Sequence, residues 1–325
     1  MDYCVYDCDV GSDDAWGLLM LIRAEALKKL KILGVTCVSG NTTVDNVCKN
    51  SLRILKAAKR EDIPVHKGAF GPLIPPKPGN QFCTFHGTDG FSDLDFEPFE
   101  HKELVHQKHA VEAMYEYSKK YPKEVTFILV GPLTNFALCL SMYEDFAENV
   151  KDVFIMGGNF KGVGNATRSA EFNFYKDPEA AKIVLEKTKC RITILPWEPC
   201  MEENFGISMD WRINELASQS SCPVVKMLTR IEEAQYIPQG FNSWCPCDAL
   251  LVAAYLFPKG MIKKQSNWHA TVEVCGEQTR GQMVLDHLQN PDNPQNVDLI
   301  EQLNSEYFKL VSLWAAGAID DCNGV

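Results

Sequence analysis

The sequence lacks the features of a membrane-spanning, secreted or nucleic-acid-binding protein. No apolar run approaches the roughly 20 residues that a membrane helix needs, and the chain opens Met1-Asp2-Tyr3-Cys4 without a basic or apolar leader segment. Its 32 Lys and Arg are outnumbered by 43 Asp and Glu, which gives a net charge of -11. A phosphate backbone is repelled by such a balance when no basic cluster offsets it. We therefore expect neither a membrane nor a nucleic acid as a partner.

The 13 cysteines show no disulfide or zinc pattern. Their number is odd and no two of them have C-x-x-C spacing. The close pair Cys245 and Cys247 has no second pair with which to complete a tetrahedral zinc site. Reduced thiols and a cytoplasmic location are the expectation from this pattern.

Two hydrophobic periodicities alternate along the first two thirds of the chain. Short runs of apolar residues predict strands, and apolar residues at helical spacing predict helices. The predicted strands are 3–8, 31–38, 63–66, 125–130, 153–156 and 192–195, and the helices that alternate with them are 13–27, 44–58, 102–119, 135–143 and 178–187. Such alternation is typical of an α/β fold with helices on both faces of a mainly parallel central sheet.

The remaining segments are less regular. Residues 67–100 contain five of the 17 prolines and predict a long functional loop. Later residues predict helices at 209–219, 222–235, 246–256 and 303–315 and a hairpin formed by 268–274 and 282–285. Because no composition break or internal repeat marks a linker, residues 1–325 are expected to form a single domain.

Four carboxylates crowd the end of the first predicted strand: Asp7, Asp9, Asp13 and Asp14. The carboxyl ends of strands are where open parallel sheets bind ligands. Two carboxylates about 4 Å apart repel by roughly 4 kcal/mol at an effective dielectric near 20, so several of them require a cation or a shared proton. Oxygen donors without a His or Cys cluster favour Ca²⁺ or Mg²⁺ over zinc.

The residues alone leave other interpretations of this segment open. It could be a solvated acidic turn in which Ser12 caps the helix. An EF-hand loop does not fit, because Gly11 and Asp14 stand where an oxygen ligand and a glycine are required. Asp7 and Asp9 resemble the aspartate pair of haloacid dehalogenase phosphatases, although Gly11 replaces the hydroxyl residue or valine of that motif.

Several motifs match one family in order. The stretch 7–15, Asp-Cys-Asp-Val-Gly-Ser-Asp-Asp-Ala, closely resembles the D-x-D-x-G-x-D-D-A signature of inosine-uridine-preferring nucleoside hydrolases. Further matches are Ser39-Gly40-Asn41, His86-Gly87-Thr88-Asp89-Gly90, residues 130–135 (Val-Gly-Pro-Leu-Thr-Asn), Met156-Gly157-Gly158, Asn165, Glu171-Phe172-Asn173 and Cys247-Asp248-Ala249. These stretches cover most of the chain, and their joint occurrence is specific to that family.

The resemblance implies that Ca²⁺ lies at the bottom of a ribose pocket, and it assigns residues to that pocket. The metal ligands would be the carboxylates of Asp9, Asp14 and Asp248 and the backbone carbonyl of Thr134. The ribose would be bound by Asp13, Asn41, Met156, Asn165, Glu171 and Asn173. His86, Trp244 and Cys247 would lie on the side of the leaving base.

The implied activity is hydrolysis of the N-glycosidic bond of ribonucleosides, which gives a free nucleobase and ribose. Asp9 is expected to take a proton from a Ca²⁺-bound water, and nearby carboxylates to stabilise the positive charge that develops on ribose. The sequence departs from the family at Cys247, which replaces a histidine that can protonate the base. A thiol is a weaker acid than imidazole at neutral pH, so another group or stacking by Trp244 would have to assist the base.

Two other functions stay open at this point. A non-catalytic ribose or nucleoside binder would keep the pocket without activating the leaving group, and Cys247 motivates this alternative. A Mg²⁺-dependent phosphatase would instead use Asp7 as its nucleophile. For the hydrolase, the expected partners are a small nucleoside substrate and further copies of the chain, as a homodimer or homotetramer.

Overall fold

The computed structural model of the protein describes residues 2–75 and 85–322. Its strands are β1 (Asp2–Cys8), β2 (Leu30–Cys37), β3 (Val65–Lys67), β4 (Val125–Leu129), β5 (Val150–Met156), β6 (Arg191–Leu195), β7 (Ile207–Ser208), β8 (Ser243–Trp244), β9 (Ile262–Trp268), β10 (Ala270–Val272), β11 (Met283–Leu285) and β12 (Val297–Leu303). Its α-helices are α1 (Ser12–Ala26), α2 (Val44–Ala57), α3 (Ala110–Lys120), α4 (Thr134–Met142), α5 (Phe146–Asn149), α6 (Phe172–Lys176), α7 (Pro178–Lys187), α8 (Glu202–Phe205), α9 (Pro223–Tyr236), α10 (Cys247–Leu256), α11 (Pro258–Met261) and α12 (Ser305–Ala315).

Eight strands form the central sheet, in the order β3-β2-β1-β4-β5-β6-β12-β9. Neighbouring strands are parallel except for β12 and β9. The predicted α/β fold with a mainly parallel sheet is therefore confirmed. The strand order changes direction between β1 and β4, and a crevice forms at the carboxyl ends of the strands at such a switch point.

Helices cover both faces of this sheet because side chains alternate across a strand. Along β1, Cys4, Tyr6 and Cys8 pack in one core with α1, α2, α9, α10 and α12. Val5, between them, packs in the other core with α3, α4 and α7. No helix within the described ranges has both the length and the apolar character needed to cross a membrane.

The helix predicted at 102–119 is wrong in its first half. Lys102–Leu104 form a 3₁₀ turn, and α3 begins only at Ala110. Between them, the backbone amide of His106 donates to the carbonyl of Val65 at 2.8 Å, which adds a bridge to the edge strand β3. Pairing with the sheet edge thus replaces the helix that the sequence pattern predicted.

Two strands of the sheet, β9 and β12, were not predicted. The sequence of β9 is Ile-Lys-Lys-Gln-Ser-Asn-Trp, which has no apolar run because the strand lies at the sheet edge. The helix predicted to begin at 303 starts at Ser305, since Leu303 ends β12 and Asn304 caps the helix. The predicted late hairpin is present as β10 and β11.

Residues 67–100 contain no helix or strand beyond Lys67 in the parts that the structure describes, 68–75 and 85–100. The predicted long loop is therefore confirmed for those parts, while its centre lies outside the described residues. The predicted helix at 209–219 contains a π-helical segment, Trp211–Leu216.

Candidate active site

The loops that follow four adjacent strands meet at the switch point of the sheet. Asp9 follows β1, Asn41 follows β2, Gly131 follows β4 and Met156 ends β5. The loops approach closely: a Cβ atom added to Gly40 would lie 2.0 Å from Oδ2 of Asp9, and one added to Gly131 would lie 3.0 Å from Oδ1. The Asp9 carboxylate is therefore enclosed by backbone that has no side chain.

The turn between β1 and α1 is built around Asp14. Its Oδ1 accepts a hydrogen bond from the amide of Asp9 at 3.1 Å, and its Oδ2 accepts one from the amide of Gly11 at 2.7 Å. Oδ2 of Asp9 in turn accepts from the amide of Asn41 at 2.7 Å. These backbone donors fix both carboxylates without neutralising them by a cation.

Asp13, Asp14 and Asp248 form a compact acid set, in which one carboxylate oxygen of each lies within 4.8 Å of the others. Asp248 belongs to the first turn of α10, more than 230 residues from the other two. At 4.8 Å, a pair of charges repels by about 3 kcal/mol at an effective dielectric near 20. The sequence assigns Asp13 to the ribose, and that assignment stays a prediction.

Burial and the repulsion of neighbouring carboxylates raise the pKa values of Asp9, Asp14 and Asp248. Burial, followed by the charge of Asp13, raises the pKa of Asp14 to about 7. The pKa values of Asp9 and Asp248 are raised well above the ordinary range by burial and then by neighbouring carboxylates. Oδ1 of Asp13 is buried and has no hydrogen-bond partner in the described part of the chain. A hard divalent cation would offset these costs, and the oxygen-only donors suit one.

Asp7 lies outside the acid set. It is 0% exposed, and its Oδ2 accepts hydrogen bonds from Oγ1 of Thr36 at 2.7 Å and Nδ2 of Asn135 at 2.8 Å. Burial raises the pKa of Asp7 to about 7. A carboxylate so enclosed cannot attack a phosphoryl group, so the interpretation of Asp7 as a phosphatase nucleophile is wrong.

Asn173 and Glu171 begin the short helix α6 beside Met156. Nδ2 of Asn173 donates to the carbonyls of Val130 at 2.9 Å and Met156 at 3.1 Å, which leaves Oδ1 as the acceptor available to a ligand. Glu171 caps α6: its carboxylate accepts from the amides of Asn173, Phe174 and Gly158 at 2.7–3.1 Å. Burial raises the pKa of Glu171 to about 7 despite these bonds. This capping use of Glu171 was not predicted.

The other ribose candidates differ in burial. Asn41 and Met156 are 7% and 4% exposed and lie at the switch point. Asn165 lies in an exposed loop, where its Oδ1 accepts from the amide of Phe172 at 2.8 Å. The Thr134 hydroxyl donates to Oδ2 of Asp177 at 2.6 Å. This bond does not involve the backbone carbonyl of Thr134, whose role as a metal ligand stays a prediction.

His86 packs directly against the acidic motif although it is 72 residues away from Asp14. Its Nε2 lies 3.7 Å from Oδ1 of Asp13, and its Nδ1 faces the amide of Ser12 at 3.4 Å and Nε2 of Gln235 at 3.1 Å. Burial lowers the pKa of His86, and the charge of Asp13 opposes this shift. Sequence reasoning missed Gln235, because no local motif marks a contact across 149 residues.

The prediction that Trp244 stacks on the leaving base is corrected. Its indole is 1% exposed and lies in the core, 5.4 Å from the ring of Trp16. Both indole nitrogens donate to Oε1 of Glu232, at 2.8 Å from Trp244 and 3.2 Å from Trp16. Arg212 pairs with the other oxygen of Glu232 at 2.6 Å. This buried cluster supports the wall of the site instead of lining the pocket.

Cys247 stands immediately before Asp248, at the start of α10. Its sulphur lies 3.7 Å from that of Cys245 and the residue is 8% exposed. The neighbouring Cys200 thiol and burial raise the pKa of Cys247 well above its usual range. The thiol is therefore protonated at neutral pH and is a poor proton donor.

The whole chain is similar to known nucleoside hydrolases. The family profile described as "Inosine-uridine preferring nucleoside hydrolase" matches residues 4–310. An uncharacterized protein of Schizosaccharomyces pombe is 34% identical over 309 residues, 93% of this chain and 89% of that protein. The pyrimidine-specific ribonucleoside hydrolase RihA of Shewanella oneidensis is 32% identical over 313 residues, 94% of this chain and 92% of that enzyme.

Solved structures show the same fold. A plant nucleoside hydrolase, the PpNRh1 enzyme, superposes with a TM-score of 0.86 at 22% identity and covers 98% of this chain and 99% of its own. An inosine-guanosine nucleoside hydrolase also gives a TM-score of 0.86, at 24% identity and with 98% and 99% coverage. With a family profile that spans nearly the full length, the chain belongs to the inosine-uridine preferring nucleoside hydrolase family.

Proposed function

We propose that this protein hydrolyses the N-glycosidic bond of ribonucleosides with Ca²⁺ as its cofactor, releasing a free nucleobase and ribose. The observation that carries the proposal is the acid set at the switch point of the sheet, in which three carboxylates lie within 4.8 Å of one another and Asp14 and Asp248 are buried. The match to family members such as the ribonucleoside hydrolase RihA supports the same substrate class.

In this proposal Asp9, Asp14 and Asp248 hold the cation through their carboxylates and Thr134 through its backbone carbonyl. When bound, Ca²⁺ lowers the pKa of a water and supplies positive charge among the acids. The donor set fits a hard cation, since it consists of oxygens and the adjacent Oδ1 of Asp13 is buried without a hydrogen-bond partner among the described residues.

Asp9 is the residue that takes the proton of the attacking water. Its Oδ2 is held by the Asn41 amide at 2.7 Å, and its carboxylate is enclosed between Gly40 and Gly131, so its position is fixed before substrate binds. Burial raises the pKa of Asp9, which makes the carboxylate a stronger base than an exposed aspartate. The residues that contact the ribose in this proposal are Asp13, Asn41, Met156, Asn165, Glu171 and Asn173.

Two of these side chains offer hydrogen-bond acceptors to the ribose hydroxyls. Oδ1 of Asn173 is available as an acceptor because its Nδ2 donates to two carbonyls. Oδ1 of Asp13 is a buried acceptor without a partner among the described residues. Negative carboxylates around the sugar also favour the positive charge that ribose acquires as the base departs.

We place His86 and Cys247 on the leaving-group side and assign His86 as a hydrogen-bond donor to the nucleoside. Its ring is next to Asp13, whereas the pKa of Cys247 is raised by Cys200 and burial. The proposal further includes a single domain, residues 1–325, that works in the cytoplasm as a homodimer or homotetramer. These last points rest on the cysteine pattern and on the family resemblance.

The proposal is tested by incubating the protein with inosine, uridine and guanosine in the presence of Ca²⁺ and measuring both reducing sugar and free base. Stoichiometric appearance of ribose and base is the expected result. Saturable nucleoside binding without sugar release would contradict the proposal and support a non-catalytic binder. The same assay on each nucleoside reports whether purines or pyrimidines are preferred.

A further inference from the structure

The His86 ring is held by three contacts that together fix its orientation. Its Nδ1 receives the backbone amide of Ser12 at 3.4 Å and lies 3.1 Å from the side-chain nitrogen of Gln235. The ring also lies over Gly11, where an added Cβ would come within 2.5 Å of two of its atoms. The ring can therefore approach α1 this closely only because residue 11 has no side chain.

These contacts determine which ring nitrogen carries the proton in the neutral form. A backbone N–H can only donate, so the Ser12 amide favours a proton on Nε2, but its contact with Nδ1 is long at 3.4 Å, and the shorter contact of 3.1 Å from Gln235 reinforces it. The group of Gln235 that faces Nδ1 must then be its NH₂. This agrees with the other end of the amide, where the hydroxyl of Ser12 donates to Oε1 of Gln235 at 3.0 Å.

The protonated nitrogen faces the acid set. Nε2 lies 3.7 Å from Oδ1 of Asp13, which is too far for a hydrogen bond between them. Oδ1 of Asp13 is buried and has no partner in the part of the chain that the structure describes. One substrate hydroxyl group between these two groups would satisfy both, if its oxygen accepted a hydrogen bond from Nε2–H and its hydrogen was donated to Oδ1 of Asp13.

We infer that Gln235 is a positioning residue that keeps His86 in the Nε2–H tautomer, so that His86 presents a hydrogen-bond donor to the nucleoside. The inference rests on the proposed function in one respect, which is that the bound substrate is a nucleoside. Gln235 does not touch the nucleoside itself. It acts from α9 through the ring, and Ser12 sets its amide orientation.

A purely structural role for Gln235 is a poor alternative explanation. The residue is 1% exposed on the inner face of α9, where an apolar side chain of similar length would pack without a polar group to satisfy. The Gln235 amide instead uses both of its ends, one on Ser12 and one on His86. A side chain at position 235 that accepted a hydrogen bond from Nδ1 would favour the Nδ1–H tautomer of His86. Nε2 would then be an acceptor instead of a donor.

The test measures the tautomer directly, with ¹⁵N-histidine-labelled protein in Ca²⁺ and without substrate. The nitrogen shifts of His86 are assigned by their loss in His86→Gln, and they distinguish a protonated Nε2 from a protonated Nδ1. The same spectra are recorded for Gln235→Met, which keeps the length but removes the donor, and for Gln235→Glu, which replaces the donor by an acceptor. Gln219→Met, an exposed position outside the site, is the matched control.

We expect wild type and Gln219→Met to show the proton on Nε2, Gln235→Met to show a mixture of tautomers and Gln235→Glu to protonate Nδ1. In nucleoside hydrolysis, kcat of Gln235→Met should fall roughly ten-fold, the effect of one lost buried hydrogen bond. KM and the thermal midpoint should change little. A structural role alone would instead lower the midpoint and leave the nitrogen shifts as in wild type.

Two results would overturn the inference. One is a wild-type spectrum with the proton of neutral His86 on Nδ1, which requires no variant of Gln235 and no activity. The other is Gln235→Met with wild-type nitrogen shifts and kcat within two-fold of wild type. The proposed function is tested separately by ribose release from the wild-type protein, so failure of the two can be told apart.

Discussion

Asp7 and Asp9 are two residues apart, and their neighbours give them different uses. Asp7 is enclosed by Thr36 and Asn135 and ties β1 to β2 and α4. Asp9 lies beyond the strand, where Gly40 and Gly131 approach its carboxylate and its backbone amide donates to Asp14. The sequence motif places both at the end of a strand, but only the surroundings separate the structural acid Asp7 from Asp9, for which we propose a catalytic role.

We predict that Asp9→Asn abolishes turnover and preserves the fold. The amide still accepts the hydrogen bond from the Asn41 amide, and removal of a buried carboxylate relieves repulsion with Asp14. Loss of a general base lowers kcat by at least roughly 100-fold. Ribose release and the thermal midpoint are measured beside Asp292→Asn, an exposed control. Activity within a few-fold of wild type would remove Asp9 from the mechanism.

The sequence motifs supplied candidate site positions but not their neighbours. Asp14 and Asp248 lie together in the acid set, and His86 lies beside Asp13. The role of Glu171 as a cap and the burial of Trp244 depend on packing between distant segments. A motif specifies residue types at fixed spacing, and it holds no information about which distant side chain fills the remaining contacts.

A pH-dependent stability is predicted from His66. Its Nδ1 lies 3.1 Å from the Lys108 carbonyl and its Nε2 lies 2.9 Å from the Tyr117 hydroxyl. Burial lowers the pKa of His66 from 6.5 to about 4. Between these values the unfolded chain binds a proton that the folded chain does not, so the free energy of unfolding falls as pH is lowered through this window.

The measurement is the thermal midpoint of wild type and His66→Asn at several pH values between 7.5 and 4. Asparagine can still donate to the Lys108 carbonyl, but it does not titrate. We expect the difference in midpoint between the two proteins to shrink as pH falls from 6.5 towards 4. A difference that stays constant over this range would exclude His66 as the titrating group.

At the scale of helices and strands, the prediction succeeded where elements are buried on both faces. The strands β1, β2, β4, β5 and β6 are apolar runs because helices cover both of their faces. The sheet edges were missed for the opposite reason. β9 is largely polar, and residues around His106 gained a bridge to β3 that overrides helical spacing.

The boundary between β12 and α12 gives a prediction at this scale. Asn304 is the N-cap of α12, and its side chain accepts from the amide of Tyr307 at 3.3 Å. Asn304→Ala should lower the free energy of unfolding by about 1 kcal/mol, whereas Asn304→Asp should be nearly neutral because aspartate caps equally well. Chemical denaturation of the three proteins measures both values. Equal losses in the two variants would show that capping is not what Asn304 contributes.

For the whole molecule, the acid set links distant parts of the fold. Asp13 and Asp14 belong to α1 and Asp248 to α10, and these helices pack side by side next to β1. A cation bound to these acids would connect the beginning of the chain to its last third. Binding to the native state alone stabilises a protein by an amount that depends on ligand concentration.

Calcium should therefore raise the thermal midpoint. At a concentration about 100 times Kd, the free energy of unfolding should increase by about 2.7 kcal/mol. Asp248→Asn, which removes one of the acids from the set, should abolish most of this shift, while Asp292→Asn should keep it. Equal midpoints for the wild-type protein in chelator and in calcium would contradict a bound cation.

The most direct test of the account is ribose release by the wild-type protein after removal of divalent ions with a chelator, followed by their replacement. The account predicts that hydrolysis of a ribonucleoside stops in chelator and returns when calcium is restored, with the protein folded throughout. Undiminished ribose release from metal-free protein would contradict the claim that the carboxylates at the sheet's switch point work around a divalent cation.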